Sequence, residues 1–128
     1  MTREPGWEPD QLSQAVIGAA IAVHRELGPG YLEALYEEAL ALELSANGVS
    51  FVRQAPVAVR YRDAEIGHGK LDLLVEHRLI VELKAVEVLS PIHTAQMISY
   101  LKATGLKTGL LINFNVAVLK DGVRRISL

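Results

Sequence analysis

The sequence contains no cysteine, which excludes disulfide bonds and metal sites built from thiolates. It also lacks an apolar stretch long enough to cross a membrane. Residues 1–9 have neither a basic start nor an apolar run, so we expect no secretory signal peptide there. These absences favour a cytoplasmic protein without a membrane partner.

An excess of basic charge is missing as well. The formal net charge is -2 and the sequence pI is about 6.1. A protein that coats nucleic acid is usually basic, so this charge argues mildly against that class, although a nuclease whose acidic site binds divalent ions could share it. The chain has 128 residues, of which 50% are hydrophobic, and this is typical of one globular domain. We assign residues 1–9 to an N-terminal tail and residues 10–128 to the domain.

Hydrophobic periodicity changes along the chain from helical to extended spacing. Apolar residues recur at helical spacing from Asp10 to Leu27, where Gly28-Pro29-Gly30 ends the helix, and a second helix runs to about Asn47. Gly67 and Gly69 indicate a bulge or bend in a later strand. The other predicted elements are strands over 57–62, 65–75 and 79–86, a helix over 91–104, a strand over 108–114, and a hairpin of 116–119 with 124–128. The order α-α-β-β-β-α-β-β predicts an α/β fold with helices on the faces of a mixed sheet.

Two acidic residues interrupt strands that are otherwise apolar. Glu82 and Lys84 lie in one strand and point to the same face, because side chains alternate along a strand. Asp72 lies in the preceding strand, and a three-residue turn over 76–78 would place it opposite Glu82. Two carboxylates at this separation repel each other unless a cation or a shared proton intervenes. A hard divalent ion bound by oxygen ligands would remove this repulsion.

The metal interpretation depends on the register of this hairpin. A two-residue turn would place Asp72 opposite Leu83 and separate the acids. From spacing alone, a buried salt bridge between Lys84 and one of the acids explains the same residues equally well.

Polar residues on two helices also allow a functional and an ordinary explanation. His93, Gln96 and Tyr100 share one side of a helix, where they could contact phosphates or bases, or simply form a half-exposed polar face. Glu33 lies in the first turn of the second helix, where a carboxylate complements the helix dipole. His24 is similarly favoured near the end of the first helix.

Three motifs follow one another along the chain. They are Gly30, Glu33 and Tyr36, then Asp72 with Glu82-Leu83-Lys84, then Gln96 with Tyr100. Together they resemble the GxxExxY proteins, a branch of the PD-(D/E)XK nuclease superfamily, and the third is similar to the Gln-x-x-x-Tyr motif of RecB-like and lambda-exonuclease-like members. Leu71 stands where the superfamily's name has a proline.

The resemblance implies a restriction-endonuclease-like fold with a Mg²⁺ or Mn²⁺ site and a nucleic acid, with DNA expected, as the substrate. Asp72, Glu82 and Lys84 would be the catalytic residues, with Lys84 positioning or helping to deprotonate the attacking water. The implied metal ligands are Asp72, Glu82, the Leu83 backbone carbonyl and Glu33. The implied nucleic-acid contacts are Gln96, Tyr100, His93 and Lys70.

Two further interpretations remain open. The same fold could serve as a non-catalytic module that binds nucleic acid or a protein partner, which the small size and acidic charge favour. Alternatively, the domain could form a homodimer that builds the substrate channel between two copies.

Overall fold

The computed structural model describes residues 9–128, with side chains from residue 11 onward. Residues 1–8 of the predicted tail lie outside the described residues, whereas Pro9 begins the first helix. The elements are α1 (Pro9–Leu27), α2 (Glu33–Ala46), β1 (Phe51–Tyr61), β2 (Ala64–Val75), β3 (Leu79–Lys84), α3 (Pro91–Thr104), β4 (Thr108–Asn113), a 3-10 helix (Leu119–Gly122) and β5 (Val123–Ser127). This order confirms the predicted α/β class.

The strands form one mixed sheet in the order β1-β2-β3-β4-β5. β3 and β4 are parallel and are connected by α3, while the other neighbouring strands are antiparallel. β3 is central and almost fully buried, as its apolar residues on both faces predict. The polar pair Glu82 and Lys84 therefore lies at the end of a central strand.

Each face of the sheet packs against helices in a separate hydrophobic cluster. The first cluster joins α1 and α2 to the sheet and includes Leu73, Val81, Leu83 and Ile112. The second joins α3 to the opposite face and includes Leu71, Ile80, Met97, Leu101 and Leu111. Ile80 and Leu111 thus mark the α3 face on β3 and β4, and Glu82 and Lys84 share that face with Ile80 by strand alternation.

The hairpin between β2 and β3 has the predicted register. Val75 pairs with Leu79 and Leu73 pairs with Val81, so the turn comprises residues 76–78. The backbone ladder stops at Leu73 and Val81, although β3 continues to Lys84. The two strands therefore separate immediately beside Asp72 and Glu82.

β2 changes its orientation at Asp72. Leu71 packs in the α3 cluster, whereas Leu73 packs in the α1–α2 cluster, although residues two apart normally share one face. On the neighbouring strand, Gln54 adopts a positive φ of 52°, which is rare for residues other than glycine. Together these features bend the β1–β2 hairpin at the level of Asp72.

Two strand boundaries differ from the sequence prediction. β1 begins at Phe51 rather than near Val57, because Pro56 is tolerated in this edge strand, where its missing N–H costs no ladder bond. β3 ends at Lys84 rather than Val86. The backbone of Val86 bonds to a side chain instead of a strand, because its N–H donates to Asn113 Oδ1 and its carbonyl accepts from Asn113 Nδ2.

The predicted hairpin of 116–119 with 124–128 is wrong. Residues 119–122 form a 3-10 helix, and β5 pairs with β4 instead. Leu119 is buried in the α1–α2 cluster, so this segment is held by packing rather than by strand pairing.

The two glycines of β2 have different explanations. The register shifts between Val59 and Arg60, opposite Gly67, which confirms a bulge there. At Gly69 the reason is a close approach, because an added Cβ would lie 2.9 Å from the hydroxyl oxygen of Tyr100. The absence of a side chain at Gly69 therefore lets the Tyr100 ring lie against β2.

Candidate metal centre

Where β2 and β3 separate, hydrogen bonds to the side chains of Asp72 and Glu82 take the place of backbone ladder bonds. The backbone N–H of Asp72 donates to Glu82 Oε2 at 2.8 Å, and the backbone N–H of Leu83 donates to Asp72 Oδ2 at 2.8 Å. Each carboxylate is thus fixed by the backbone of the other strand, through one of its two oxygens. Neither of these bonds uses the second oxygen of the carboxylate.

The Leu83 carbonyl projects toward the same place. In an antiparallel pair, one residue directs its N–H and its carbonyl to the same neighbouring strand. Because the Leu83 N–H points to Asp72, its carbonyl oxygen points to that side of β3 as well. The site therefore offers a backbone oxygen beside the two carboxylates.

The surroundings of Asp72 and Glu82 disfavour the charged forms of both carboxyl groups. Burial raises the pKa of Glu82 to about 8, and the nearby charge of Asp72 adds to the rise. Burial also raises the pKa of Asp72, although the bond from the Leu83 N–H opposes the shift. Two clustered carboxylates with raised pKa values are the arrangement that a bound cation stabilises.

Lys84 lies near these acids without an ion pair to either. Its positive charge lowers the pKa of Asp72 and of Glu82, although burial outweighs it. The ion pairs found in the described part of the chain are those of Arg53 with Glu37 and Glu38, and within residues 11–128 Lys84 joins none. The buried salt bridge, the alternative drawn from spacing, is therefore not formed in this conformation.

The loop between α1 and α2 fixes the position of Glu33. The Tyr36 hydroxyl donates to the Gly28 carbonyl at 2.6 Å and accepts from the Tyr31 N–H at 3.1 Å. Its ring stacks on Phe114 with 4.5 Å between centroids. Gly30 has a φ of 110°, a conformation that glycine adopts readily. Glycine thus allows the turn, tyrosine locks it, and α2 begins at Glu33.

The Glu33 side chain reaches the edge of the acidic pair. The residue is exposed overall, yet partial burial of its carboxyl raises its pKa, and the charge of Asp72 raises it further. Across residues 11–128, no three acidic or histidine side chains converge closely enough to hold an ion by themselves. Glu33 therefore lies beside the pair of Asp72 and Glu82 without converging with them on one point.

α3 brings two of its predicted residues to the site. Burial raises the pKa of Tyr100, and the charges of Glu82 and Asp72 raise it further, which places its hydroxyl near both acids. His93 Nδ1 accepts from the Ser90 N–H at 3.1 Å, so the imidazole caps the helix. Burial lowers the pKa of His93, and the nearby charges of Lys84 and Arg124 lower it further. Gln96 is exposed on the same helix.

Lys70 is exposed on β2. It precedes Asp72 by two residues, at the level where Tyr100 packs over Gly69. Because Gly69 and Leu71 on either side of it face α3, strand alternation directs Lys70 to the opposite face of β2.

A sequence model of the PD-(D/E)XK nuclease superfamily matches residues 10–126. The chain belongs to this superfamily. No curated protein matches the sequence. Members of the PD-(D/E)XK nuclease superfamily typically use divalent metal ions to act on nucleic acid.

A hydrogen-bond network of Glu37, Arg53 and Gln54 lies near Asp72. Neither the sequence patterns nor membership in the PD-(D/E)XK nuclease superfamily predicted it. Glu37 on α2 is buried and accepts from Arg53 Nε and Gln54 Nε2, each at 3.0 Å. The Gln54 amide also acts on Asp72 and opposes the rise in its pKa. The one sequence signal was that Glu37 follows Glu33 by four residues and so shares its helix face.

The described helices of this superfamily member include none with both the length and the apolar character required to span a membrane.

Proposed function

We propose that this protein is a Mg²⁺- or Mn²⁺-dependent nuclease that hydrolyses phosphodiester bonds in nucleic acid, with DNA as the expected substrate. The observation that supports this most directly is the reciprocal hydrogen bonding of Asp72 and Glu82 across two separating strands. It holds two mutually repelling carboxylates together at the end of a central strand, where apolar packing gives no reason for them. A divalent cation supplies that reason.

The donor set fits a hard cation. Asp72, Glu82 and the Leu83 carbonyl offer oxygen ligands only, which Mg²⁺ and Mn²⁺ prefer. Mg²⁺ is usually bound through one or two carboxylates and keeps several waters, completing its shell with substrate phosphates. Two direct carboxylates are therefore sufficient, and Glu33 would act through a bound water. When bound, the ion would polarise the scissile phosphate and lower the pKa of a coordinated water.

Lys84 has the freedom that a role in hydrolysis requires. It lies on the same strand face as Glu82 and is not engaged in an ion pair with the acids. Its ammonium group can therefore donate a hydrogen bond to the attacking water or to a phosphate oxygen. We assign it the positioning of the water, and its charge would favour the water's deprotonated form.

The substrate would approach across the α3 face. Tyr100 lies near both acids, where its hydroxyl could donate to a phosphate or its ring could stack on a base. His93 and Gln96 would contact the nucleic-acid backbone farther from the reacting phosphate.

The second candidate is a binding module of the same fold that does not cleave. It is favoured by the net charge of -2 and by the fact that, over residues 11–128, no three acidic or histidine side chains converge on one point. A homodimer that shares a substrate channel is compatible with either function and stays a prediction.

A cleavage assay separates the two candidates. Single- and double-stranded DNA and RNA would be incubated with Mg²⁺ or Mn²⁺, using the wild type, Lys84→Ala and the control Lys120→Ala, which removes an exposed charge on the 3-10 helix. We expect wild-type cleavage, a loss of at least about 100-fold for Lys84→Ala, and no change for the control. Binding without cleavage by the wild type would establish the module instead.

A further inference from the structure

A row of paired residues crosses the sheet from the acidic pair to the edge strand. Glu82 of β3 pairs with Leu111 of β4, and Leu111 pairs with Arg124 of β5. Residues side by side in a sheet project to the same face, and two strand spacings amount to about 10 Å. Because Leu111 packs in the α3 cluster, Arg124 lies on the same face as Glu82, beyond Leu111.

Arg124 is anchored next to the first turn of α3. Its Nη1 donates to Thr94 Oγ1 at 3.2 Å. A guanidinium carries five N–H donors, so this bond orients the group and leaves most donors available. The residue is exposed, and within the described part of the chain it forms no ion pair with a carboxylate.

His93 lies next to the residue that anchors Arg124. Arg124 bonds to Thr94, which follows His93 in the chain, and burial together with the charges of Lys84 and Arg124 lowers the pKa of His93. His93 Nδ1 is occupied as an acceptor by the Ser90 N–H, and the ring proton is therefore on Nε2, which can donate. Arg124 itself has no carboxylate partner among the described residues, so a phosphate group could pair with its guanidinium.

We propose that Arg124 and His93 form a second phosphate-binding subsite, which takes a phosphodiester group flanking the one at Asp72 and Glu82. This inference rests on the proposed function, because it assumes that a nucleic-acid strand lies across the α3 face. The planar guanidinium suits a phosphate with two parallel N–H donors, and His93 Nε2 adds a third donor. The subsite would fix the direction in which the strand leaves the acidic pair.

The adjacent residue Arg125 provides a matched control. It pairs with Leu110 of the α1–α2 cluster, so it projects to the opposite face of the same strand. Arg124→Ala and Arg125→Ala therefore remove the same charge from the same edge strand, but from opposite faces of the sheet.

The test measures binding of a fluorescent single-stranded oligonucleotide, with Ca²⁺ replacing Mg²⁺, as a function of salt concentration. We expect Arg124→Ala to weaken binding about tenfold and to reduce the slope of log K against log salt by about 0.7, the effect of one lost phosphate contact on a single strand. Arg125→Ala should leave both quantities unchanged. Arg124→Lys should keep most of the slope while losing affinity, because it retains the charge but not the planar pair of donors.

The possible results distinguish this subsite from the function on which it rests. Equal weakening by Arg124→Ala and Arg125→Ala would reflect general charge and would overturn the subsite alone. Absence of wild-type binding to any oligonucleotide would overturn the proposed function and the subsite together. Should Arg124→Ala fail to fold, Arg124→Gln keeps a donor for Thr94, and an unchanged salt slope in that variant would also overturn the subsite.

Discussion

Asp72 combines a structural and an electrostatic role in one carboxylate. Its Oδ2 accepts from the Leu83 N–H, while its charge raises the pKa of Glu82. Asparagine keeps the acceptor oxygen and removes the charge. In Asp72→Asn we therefore expect the stabilisation by millimolar Mg²⁺ or Mn²⁺ to disappear, because a ligand charge is lost. Thermal melts with and without metal measure this.

The same substitution should act differently on the metal-free protein. Because Asp72 and Glu82 repel each other, Asp72→Asn should melt at a higher temperature than the wild type at about pH 9, above the pKa of about 8 for Glu82, where both acids would otherwise be charged. A lower melting temperature there would show that the Asp72 charge is stabilised by protein groups alone and needs no ion.

Lys84→Ala separates the metal site from a buried salt bridge. Since Lys84 is not ion-paired with the acids, its removal should cost little stability, and metal stabilisation should persist or increase because a competing positive charge is gone. A salt-bridged lysine would behave otherwise, with a loss of about 3 to 5 kcal/mol on removal of one partner. Severe destabilisation of Lys84→Ala, combined with no effect of metal on the wild type, would contradict the metal site.

At the scale of elements, the junction of α1 and α2 depends on one hydroxyl. Tyr36→Phe keeps the stacking on Phe114 but removes the hydrogen bonds to Gly28 and Tyr31. We expect a loss of about 1 to 2 kcal/mol in the free energy of unfolding, measured by chemical denaturation. Tyr31→Phe, which alters an exposed ring, should change it by less than about 0.5 kcal/mol. Equal effects of the two substitutions would mean that the loop is not held by the Tyr36 hydroxyl.

The packing of α3 on β2 passes through Gly69. An added Cβ would lie 2.9 Å from the Tyr100 hydroxyl oxygen, so the ring would have to shift. Gly69→Ala should therefore impair oligonucleotide binding and cleavage several-fold while the melting temperature changes little, because only a half-buried ring moves. Normal cleavage in this variant would show that the position of Tyr100 is not critical.

Elements with a regular hydrophobic period were predictable, and irregular ones were not. The helices and β3 follow from periodicity and from stop signals such as Gly28. The prediction missed the first residues of β1 because Pro56 argues against a strand unless the strand is known to be an edge. It failed between residues 116 and 122 because Leu119 is held by contact with distant helices, which local pattern does not reveal.

The candidate site also has a part that the sequence predicted and a part that it did not. Alternation and turn length predicted the register that joins Asp72 to Glu82, and the structure confirms it. Glu37 and Arg53 escaped prediction because their hydrogen bond joins residues 16 positions apart in sequence. The catalytic and metal-binding roles of the predicted residues stay predictions, since they concern chemistry rather than placement.

At the scale of the whole molecule, the acidic site should make stability depend on pH. The pKa of Glu82 is raised from 4.5 to about 8 in the folded state, and those of Asp72 and Glu33 move in the same direction. A raised pKa contributes stability that is fully present below the unfolded value and is lost as pH rises through the folded value. The metal-free protein should therefore lose stability between about pH 5 and about pH 9.

Metal should reverse this dependence. Because an ion binds the charged carboxylates, Mg²⁺ or Mn²⁺ should raise the melting temperature more at about pH 8 than at about pH 5, where protons compete for the same oxygens. Melts over this range with metal and with a chelator provide the comparison. Equal stabilisation at both pH values would indicate binding elsewhere on the surface.

The crossed hydrogen bonds between β2 and β3 also give the protein two natural spectroscopic probes. The amides of Asp72 and Leu83 donate to carboxylate oxygens, whereas ordinary strand amides donate to carbonyls. A hydrogen bond to an ionised acceptor is shorter and stronger than one to a neutral group. Protonation or metal coordination of either acid should therefore move the NMR resonance of the amide bonded to it. The Asp72 amide would report on Glu82, and the Leu83 amide on Asp72, so the occupancy of each carboxylate could be followed separately without any label at the site.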